Sequence, residues 1–286
     1  MKYLSLIKFS HTVFALPFAL VGTCLAVVDG AAARPLSLLL VLACMIFARS
    51  AAMAFNRYLD RDIDRLNPRT AVREIPAGQI SARAALAFTL ANCVLFIAAA
   101  FLLNPLCGWL SPVVLLVILG YSYTKRFTFL CHFVLGLGLG LAPVGAYLAL
   151  AGQFAPLPIL YGAAVLFWVA GFDIIYALQD EKFDRGLSLQ SIPVRLGRVR
   201  ALRLAAGVHV LCAALLVTAL YCQFQWYPAR SGWLLAAAGL VFTGLLIYQH
   251  RLIKPTDLSR VDLAFFTTNG IASVVFGTLV FIDLLW

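Results

Sequence analysis

The chain has 286 residues, 63% of them hydrophobic and only 12% charged, with a formal net charge of +10 and a mean hydropathy of +0.95. An ordinary soluble domain carries about 25% charged residues, so this composition excludes one and asks for lipid around the fold. The positive charge needs no nucleic acid to explain it, because its placement follows membrane topology.

Apolar stretches run from one end to the other: roughly Phe9 to Val28, Leu36 to Phe55, Ala82 to Leu103, Leu106 to Tyr123, His132 to Gly152, Leu157 to Leu178, Leu202 to Cys222, Trp233 to Tyr248 and Leu263 to Leu285. Each approaches the roughly 20 residues that a helix needs to cross about 30 Å of hydrocarbon. Alternation at period two is absent, which argues against a membrane β-barrel. The expected fold is therefore all-α and polytopic, with nine transmembrane helices in a single domain over residues 1–286. The first stretch is longer than the h-region of a secretory signal, which is about 7–15 residues, and reads as a retained span despite the small residues Ala31 to Ala33.

With the N-terminus inside, 19 of the 22 Lys and Arg fall in cytoplasmic segments. Only Arg34 and Arg230 lie opposite, and Arg49 sits within a span. That asymmetry is the positive-inside signature, and part of the cationic surface is expected to face anionic headgroups of the bilayer. Seven scattered cysteines form no metal-ligand spacing and read as small buried hydrophobes.

The polar information is concentrated in two cytoplasmic loops, after the second and sixth spans. Both carry Asp at four-residue spacing, then an Ile-Pro with a downstream Gly (Ile75, Pro76 and Gly78; Ile192, Pro193 and Gly197), which suggests a weak internal repeat of a four-helix unit. In Asn56-Arg-Tyr-Leu-Asp-Arg-Asp-Ile-Asp64, Asn56, Asp60 and Asp64 share one helix face, continued back by Arg49 and Met53, while Asp62 points away. In the second loop Asp173, Tyr176, Asp180 and Asp184 share a face. Six of the twelve acidic residues of the chain are the aspartates of these two segments.

Such carboxylates repel when unpaired, and a charge at membrane depth costs about 2.5–3.5 kcal/mol on the insertion scale. Mg²⁺ fits the need for a cationic partner, since it takes hard oxygen ligands and sits between carboxylates and phosphates. Pairing of each Asp with a neighbouring Arg is the plainer reading. Cations stand where a diphosphate would use them: Arg69 and Arg73 beyond the first Asp stripe, and Lys125 and Arg126 after Tyr121. Arg grips phosphate in a bidentate fork, whereas Lys acts as a point charge. For each of these, positive-inside orientation is the competing explanation.

These segments resemble the UbiA superfamily of intramembrane aromatic prenyltransferases over essentially the full length. The resemblance rests on NRYLDRDID (Asn56 to Asp64), NPRTAVREIPAG (Asn67 to Gly78), YSYTKR (Tyr121 to Arg126) and DIIYALQDEKFDRGLSLQSIPVRLG (Asp173 to Gly197). It is strongest to the bacterial quinone branch, meaning 4-hydroxybenzoate polyprenyltransferases and the related enzyme of the futalosine route to menaquinone. It implies Mg²⁺ and a polyprenyl diphosphate held by Asn56, Asp60, Asp64, Asp180 and Asp184, with Tyr121 and Lys125 as the YxxxK pair. It further implies a central cavity opening to the cytoplasmic side of a bacterial inner membrane, where a small aromatic acid is prenylated for ubiquinone or menaquinone synthesis. In that scheme the metal and basic residues stabilise the departing diphosphate, and a hydroxylated ring attacks the allylic cation. Asp173 or Asp180 takes the phenolic proton, and Tyr176, Tyr121 and Phe172 are the aromatic candidates facing the cation. Arg49, Arg69 and Arg195 are the candidates for reading a ring carboxylate.

Gly136, Gly138 and Gly140 lie in a span, follow no strand and read as close helix packing rather than a nucleotide fingerprint. Pro143 in the same span is a candidate kink. His132 reads as an interfacial hydrogen-bonding residue rather than a metal ligand, and His11 near Lys8 has no assigned role. A secondary transporter is the competing functional class, although its ion-coupling carboxylates are expected near mid-span.

Overall fold

The computed structural model describes residues 2–6 and 14–285, so Lys8 and His11 lie outside the described residues. Every long element is helical. In chain order they are α1 (Lys2–Leu6), α2 (Leu16–Val28), α3 (Pro35–Leu59), α4 (Arg61–Leu66), α5 (Ala82–Leu103), α6 (Pro105–Thr124), α7 (Cys131–Ala151), α8 (Pro156–Ala177), α9 (Glu181–Gly186), α10 (Ile192–Trp226), α11 (Trp233–Leu252) and α12 (Asn269–Leu285). A π-helical segment, Leu263–Thr268, leads into α12.

Among the described residues eight helices are long and apolar enough to cross a membrane, and the chain is an integral membrane protein. The first expected span, Phe9 to Val28, is described as the 13-residue helix α2 from Leu16, its opening residues lying outside the described ones. Span ends differ from the sequence expectation by a few residues, and α10 begins ten residues earlier than expected. Gly197 breaks it with φ 75° and ψ 166°, so a leading turn at Ile192 precedes the long span. Helices of this kind satisfy their backbone internally, as lipid requires.

The chain divides into two compact units. In the first (1–12 and 33–124), α3 packs along α5 and α6. A small apolar cluster of Leu6, Ala54, Ile75, Ile80 and Ala85 fastens α1 and the loop after α4 to α3 and α5. Tyr3 of α1 lies over Phe88 at 4.9 Å.

The second unit (13–32 and 125–286) is built on α8. Gly136 and Gly140 face the α8 backbone: a Cβ on either would run into the carbonyl oxygen of Leu166 or Gly162. This confirms the packing reading for those two glycines, and Gly22 lets α2 approach α7 at Pro143 in the same way. Trp168 is fully buried, against Phe18 at 5.5 Å and Phe242 at 5.4 Å. Its Nε1 donates to Asn269 Oδ1 (3.0 Å), while Asn269 Nδ2 donates to the carbonyls of Phe265 and Ala264. Gln249 also donates to Ala264 (3.1 Å), so side-chain amides satisfy the carbonyls that the wider π turn leaves open. All seven cysteines are free thiols; Cys24 and Cys212 are buried as expected, while the other five are half-buried.

Candidate active site

In the first unit the Asp stripe begins in the last turn of α3. Asp60 interrupts the helix with φ −90° and ψ 3°, and α4 restarts at Arg61. The backbone spacing of a helix survives the joint, because Asp60 N–H donates to Asn56 O (2.9 Å) and Asp64 N–H to Asp60 O (2.7 Å). Asp60 and Asp64 are therefore presented together, at 2% and 4% exposure, while Asp62 is exposed and lies 3.5 Å from Arg61. Asn56 Nδ2 donates to Asp60 Oδ2 (3.3 Å) and Ser122 Oγ (3.4 Å), tying the stripe to α6.

Arg73 reaches back to Asp64, its Nη1 lying 2.7 and 2.8 Å from the two carboxylate oxygens. The loop that carries it is held by Thr70 Oγ1 donating to Asp64 O (3.0 Å) and by Asn67 Oδ1 accepting from Arg69 N–H (3.0 Å). Gly78 ends the loop at φ 70°, a left-handed conformation that suits glycine. The Arg69 side chain is exposed and that of Arg49 is half-buried within α3. Two groups that sequence reasoning passed over belong here. Arg57, 4% exposed, lies within electrostatic reach of Asp64, Glu74 and Tyr121, and Ser5 hydroxyl donates to Glu74. Glu74 sits inside the quoted NPRTAVREIPAG segment, and its lone negative charge among arginines was the available signal.

In the second unit α8 ends one turn after Asp173. Tight i→i−3 bonds at Leu178, Gln179 and Asp180 follow, and α9 resumes with Asp184 N–H donating to Asp180 O (2.8 Å). The expected single helical stripe is thus a helix, a tight turn and a helix, because three consecutive i−3 bonds wind the chain more closely than 3.6 residues per turn. Tyr176 is stacked on Phe265 of the π segment at 4.1 Å, and Phe172 packs edge-on to Phe265 and Trp168 at 5.2 Å. Phe172 is a packing residue, 2% exposed. Arg195 lies over the Phe129 ring at 5.8 Å.

Lys125 enters this unit through its backbone: its carbonyl accepts from Gln190 N–H (2.6 Å), beside Cys131 Sγ, which donates to Gln190 O (3.7 Å). Arg126 follows it at the same loop, half-buried. Next to them, His132 Nδ1 is 2.7 Å from Asp173 Oδ2, and His132 Nε2 accepts from Ile192 N–H (3.3 Å). Sequence reasoning read His132 as hydrogen-bonding but missed this partner, since the two residues stand 41 positions apart.

The donor chemistry fits a hard divalent cation. Each unit offers carboxylate oxygens, the first with an amide neighbour, and Mg²⁺ keeps waters and takes phosphate oxygens besides one or two carboxylates. A closed protein cage is not its preference, and among the described residues no three His, Cys, Asp or Glu side chains form one.

The model of the UbiA prenyltransferase family matches residues 15–271. A 4-hydroxybenzoate octaprenyltransferase of Aliivibrio salmonicida is 31% identical over 235 residues, which cover 81% of this chain and 79% of that protein. The apo structure of a UbiA homologue from Aeropyrum pernix K1 superposes with a TM-score of 0.83 at 34% identity, covering 96% of this chain and 98% of that one. A UbiA homologue from Archaeoglobus fulgidus bound to GPP and Mg²⁺ shares the fold, with a TM-score of 0.73 at 22% identity and 100% of both chains covered. With its Asp-rich span ends and its helical architecture, this chain belongs to the UbiA prenyltransferase family.

Proposed function

We propose that this enzyme transfers a polyprenyl group from an isoprenyl diphosphate to a hydroxylated aromatic acid, of 4-hydroxybenzoate or dihydroxynaphthoate type, in quinone biosynthesis. The observation that carries the reading is the pair of acidic span ends, each with a helix that restarts directly after an Asp and carries the next Asp four residues on. The relatives named as 4-hydroxybenzoate octaprenyltransferases support the acceptor class. Asn56, Asp60, Asp64, Asp180 and Asp184 would hold Mg²⁺, the cofactor present with GPP in the Archaeoglobus fulgidus homologue. When bound, the metal neutralises negative charge on the leaving diphosphate.

The remaining roles fall to the chain. Arg69, Arg73, Lys125 and Arg126 bind diphosphate oxygens, Arg as a fork and Lys as a point charge. Tyr121 and Tyr176 line the site for the allylic group and the ring, and Arg49 is the half-buried cation within α3 suited to the ring carboxylate. Asp173 accepts the phenolic proton, and lipid-embedded helices keep water from the cation. The 286 residues act as one catalytic domain in a bacterial inner membrane, with the N-terminus and the site on the cytoplasmic side, which the distribution of Lys and Arg supports. The acidic residues lie within about a turn of span ends rather than at mid-span, which counts against ion-coupled transport.

Membranes containing the protein are to be incubated with labelled prenyl diphosphate and a panel of phenolic acids, with Mg²⁺ or EDTA, and the lipid products identified by mass spectrometry. A Mg²⁺-dependent prenylated hydroxybenzoate or dihydroxynaphthoate is expected. Product from no hydroxylated aromatic acid overturns the reading.

A further inference from the structure

We infer that His132 is a positioning residue that holds Asp173 oriented for proton removal from the aromatic acceptor, an inference that rests on the prenyl-transfer reading above. Three elements meet at this histidine: it is the second residue of α7, it bonds Asp173 of α8 at 2.7 Å, and it accepts from the N–H of Ile192, which opens α10. The Ile192 donor fixes the tautomer. With Nε2 an acceptor, the ring proton is on Nδ1 and points to the carboxylate.

The two partners differ in access. The His132 side chain is 3% exposed and that of Asp173 is 23% exposed. Oδ2 is engaged by the imidazole, and among the described residues nothing else hydrogen-bonds the carboxylate, so Oδ1 is the oxygen open to a proton. Asp173 takes the phenolic proton. The prenyl C–O bond breaks, its electron pair leaving on the diphosphate, and the ring carbon then bonds the allylic cation so formed. The C–H proton at the new bond shifts to the phenolic oxygen as the ring regains aromaticity, and Asp173 passes its proton to water. His132 does not shuttle this proton, because protonating Nε2 would set it against the Ile192 N–H. Its contribution is orientation, the role that a buried partner plays for an acting group in other sites.

The test compares His132→Ala, His132→Asn, Asp173→Asn and the double variant His132→Ala/Asp173→Asn in the Mg²⁺-dependent assay. Asn keeps an N–H donor near the place of Nδ1. His132→Ala is expected to lower kcat about 10- to 100-fold with KM for prenyl diphosphate within about twofold. His132→Asn is expected to recover most of kcat, and the double variant to be no slower than Asp173→Asn. Wild-type kcat in His132→Ala, equal losses in the Ala and Asn variants, or multiplied losses in the double variant would overturn the inference, since a purely structural fastening predicts additivity. Independently of turnover, ¹⁵N-histidine NMR of the intact protein is expected to show a downfield Nδ1–H signal that vanishes in Asp173→Asn. If that signal is absent from wild type, the dyad does not exist. This readout stands even if no acceptor is prenylated, and it carries the test if His132→Ala does not fold.

Discussion

A single guanidinium nitrogen of Arg73 bridges both carboxylate oxygens of Asp64, at 2.7 and 2.8 Å. Sequence spacing put one of these residues on the diphosphate and the other on the metal. In the structure they neutralise each other, so part of the plainer reading, Asp paired with a neighbouring Arg, holds at this position. The two readings are compatible, because a cation that already faces Asp64 stands beside whatever phosphate a metal on Asp64 would bring. Arg73→Ala is expected to raise KM for prenyl diphosphate about tenfold, with kcat changed less, and Arg73→Lys to fall between. Breaking one side of a largely buried ion pair also destabilises, by up to about 3 kcal/mol, which thermal unfolding in detergent would register. An unchanged KM removes Arg73 from the diphosphate site.

Close packing of α7 on α8 makes a second prediction. Gly140 and Gly162 face each other's backbone, with no room for a Cβ on either. Gly140→Val is expected to cost about 1–3 kcal/mol or more and to reduce the monodisperse fraction on size-exclusion chromatography. Gly145→Ala, in the same helix with open space around it, serves as the tolerated control.

Gly197 carries the turn that lets Ile192 face His132 and the long span proceed. Its φ of 75° lies in the left-handed region, where an L side chain costs roughly 1–2 kcal/mol. Gly197→Ala is expected to lower thermal stability by about that amount and to lower kcat through displacement of the Ile192 N–H. Gly207→Ala, in the same helix with open space, should do neither.

Away from the Asp-rich loops, Asp29 accepts from the hydroxyls of Tyr147 (2.6 Å) and Tyr227 (2.7 Å). Burial, and then the bond to Asp29, push the Tyr227 phenol up from its ordinary value. A folded-state value above the unfolded one favours the folded form below the unfolded pKa of about 10. That stability is lost as pH rises through the folded value. Tyr227→Phe is expected to melt lower at neutral pH, by about 1 kcal/mol for the lost hydrogen bond, and to lose less stability than wild type between pH 10 and 12. Parallel pH curves for the two proteins would contradict this.

The membrane spans were legible because twenty-residue apolar runs have few alternatives, and both Asp-rich segments because four-residue spacing survives even an interrupted helix. Where sequence reading stopped, tertiary contacts decided. The continuous stripe from Asp173 to Asp184 became a tight turn, since local i−3 bonding leaves no mark on residue spacing. The partnership of His132 with Asp173 and the bond of Ser5 to Glu74 join residues 41 and 69 positions apart. The early start of α10 was hidden by the Arg-rich stretch from Arg195 to Arg203, which hydropathy reads as loop, whereas the structure winds it into helix beyond Gly197.

The most direct measurement is Mg²⁺-dependent prenylation by purified protein in lipid nanodiscs, comparing wild type with Asp60→Ala and Asp180→Ala. Wild type is expected to form the prenylated aromatic acid with Mg²⁺ and none with EDTA, and each variant to lose at least about 100-fold in rate while remaining folded. Wild-type rates in either variant, or full activity in EDTA, would contradict the assignment of these aspartates to a metal-diphosphate site.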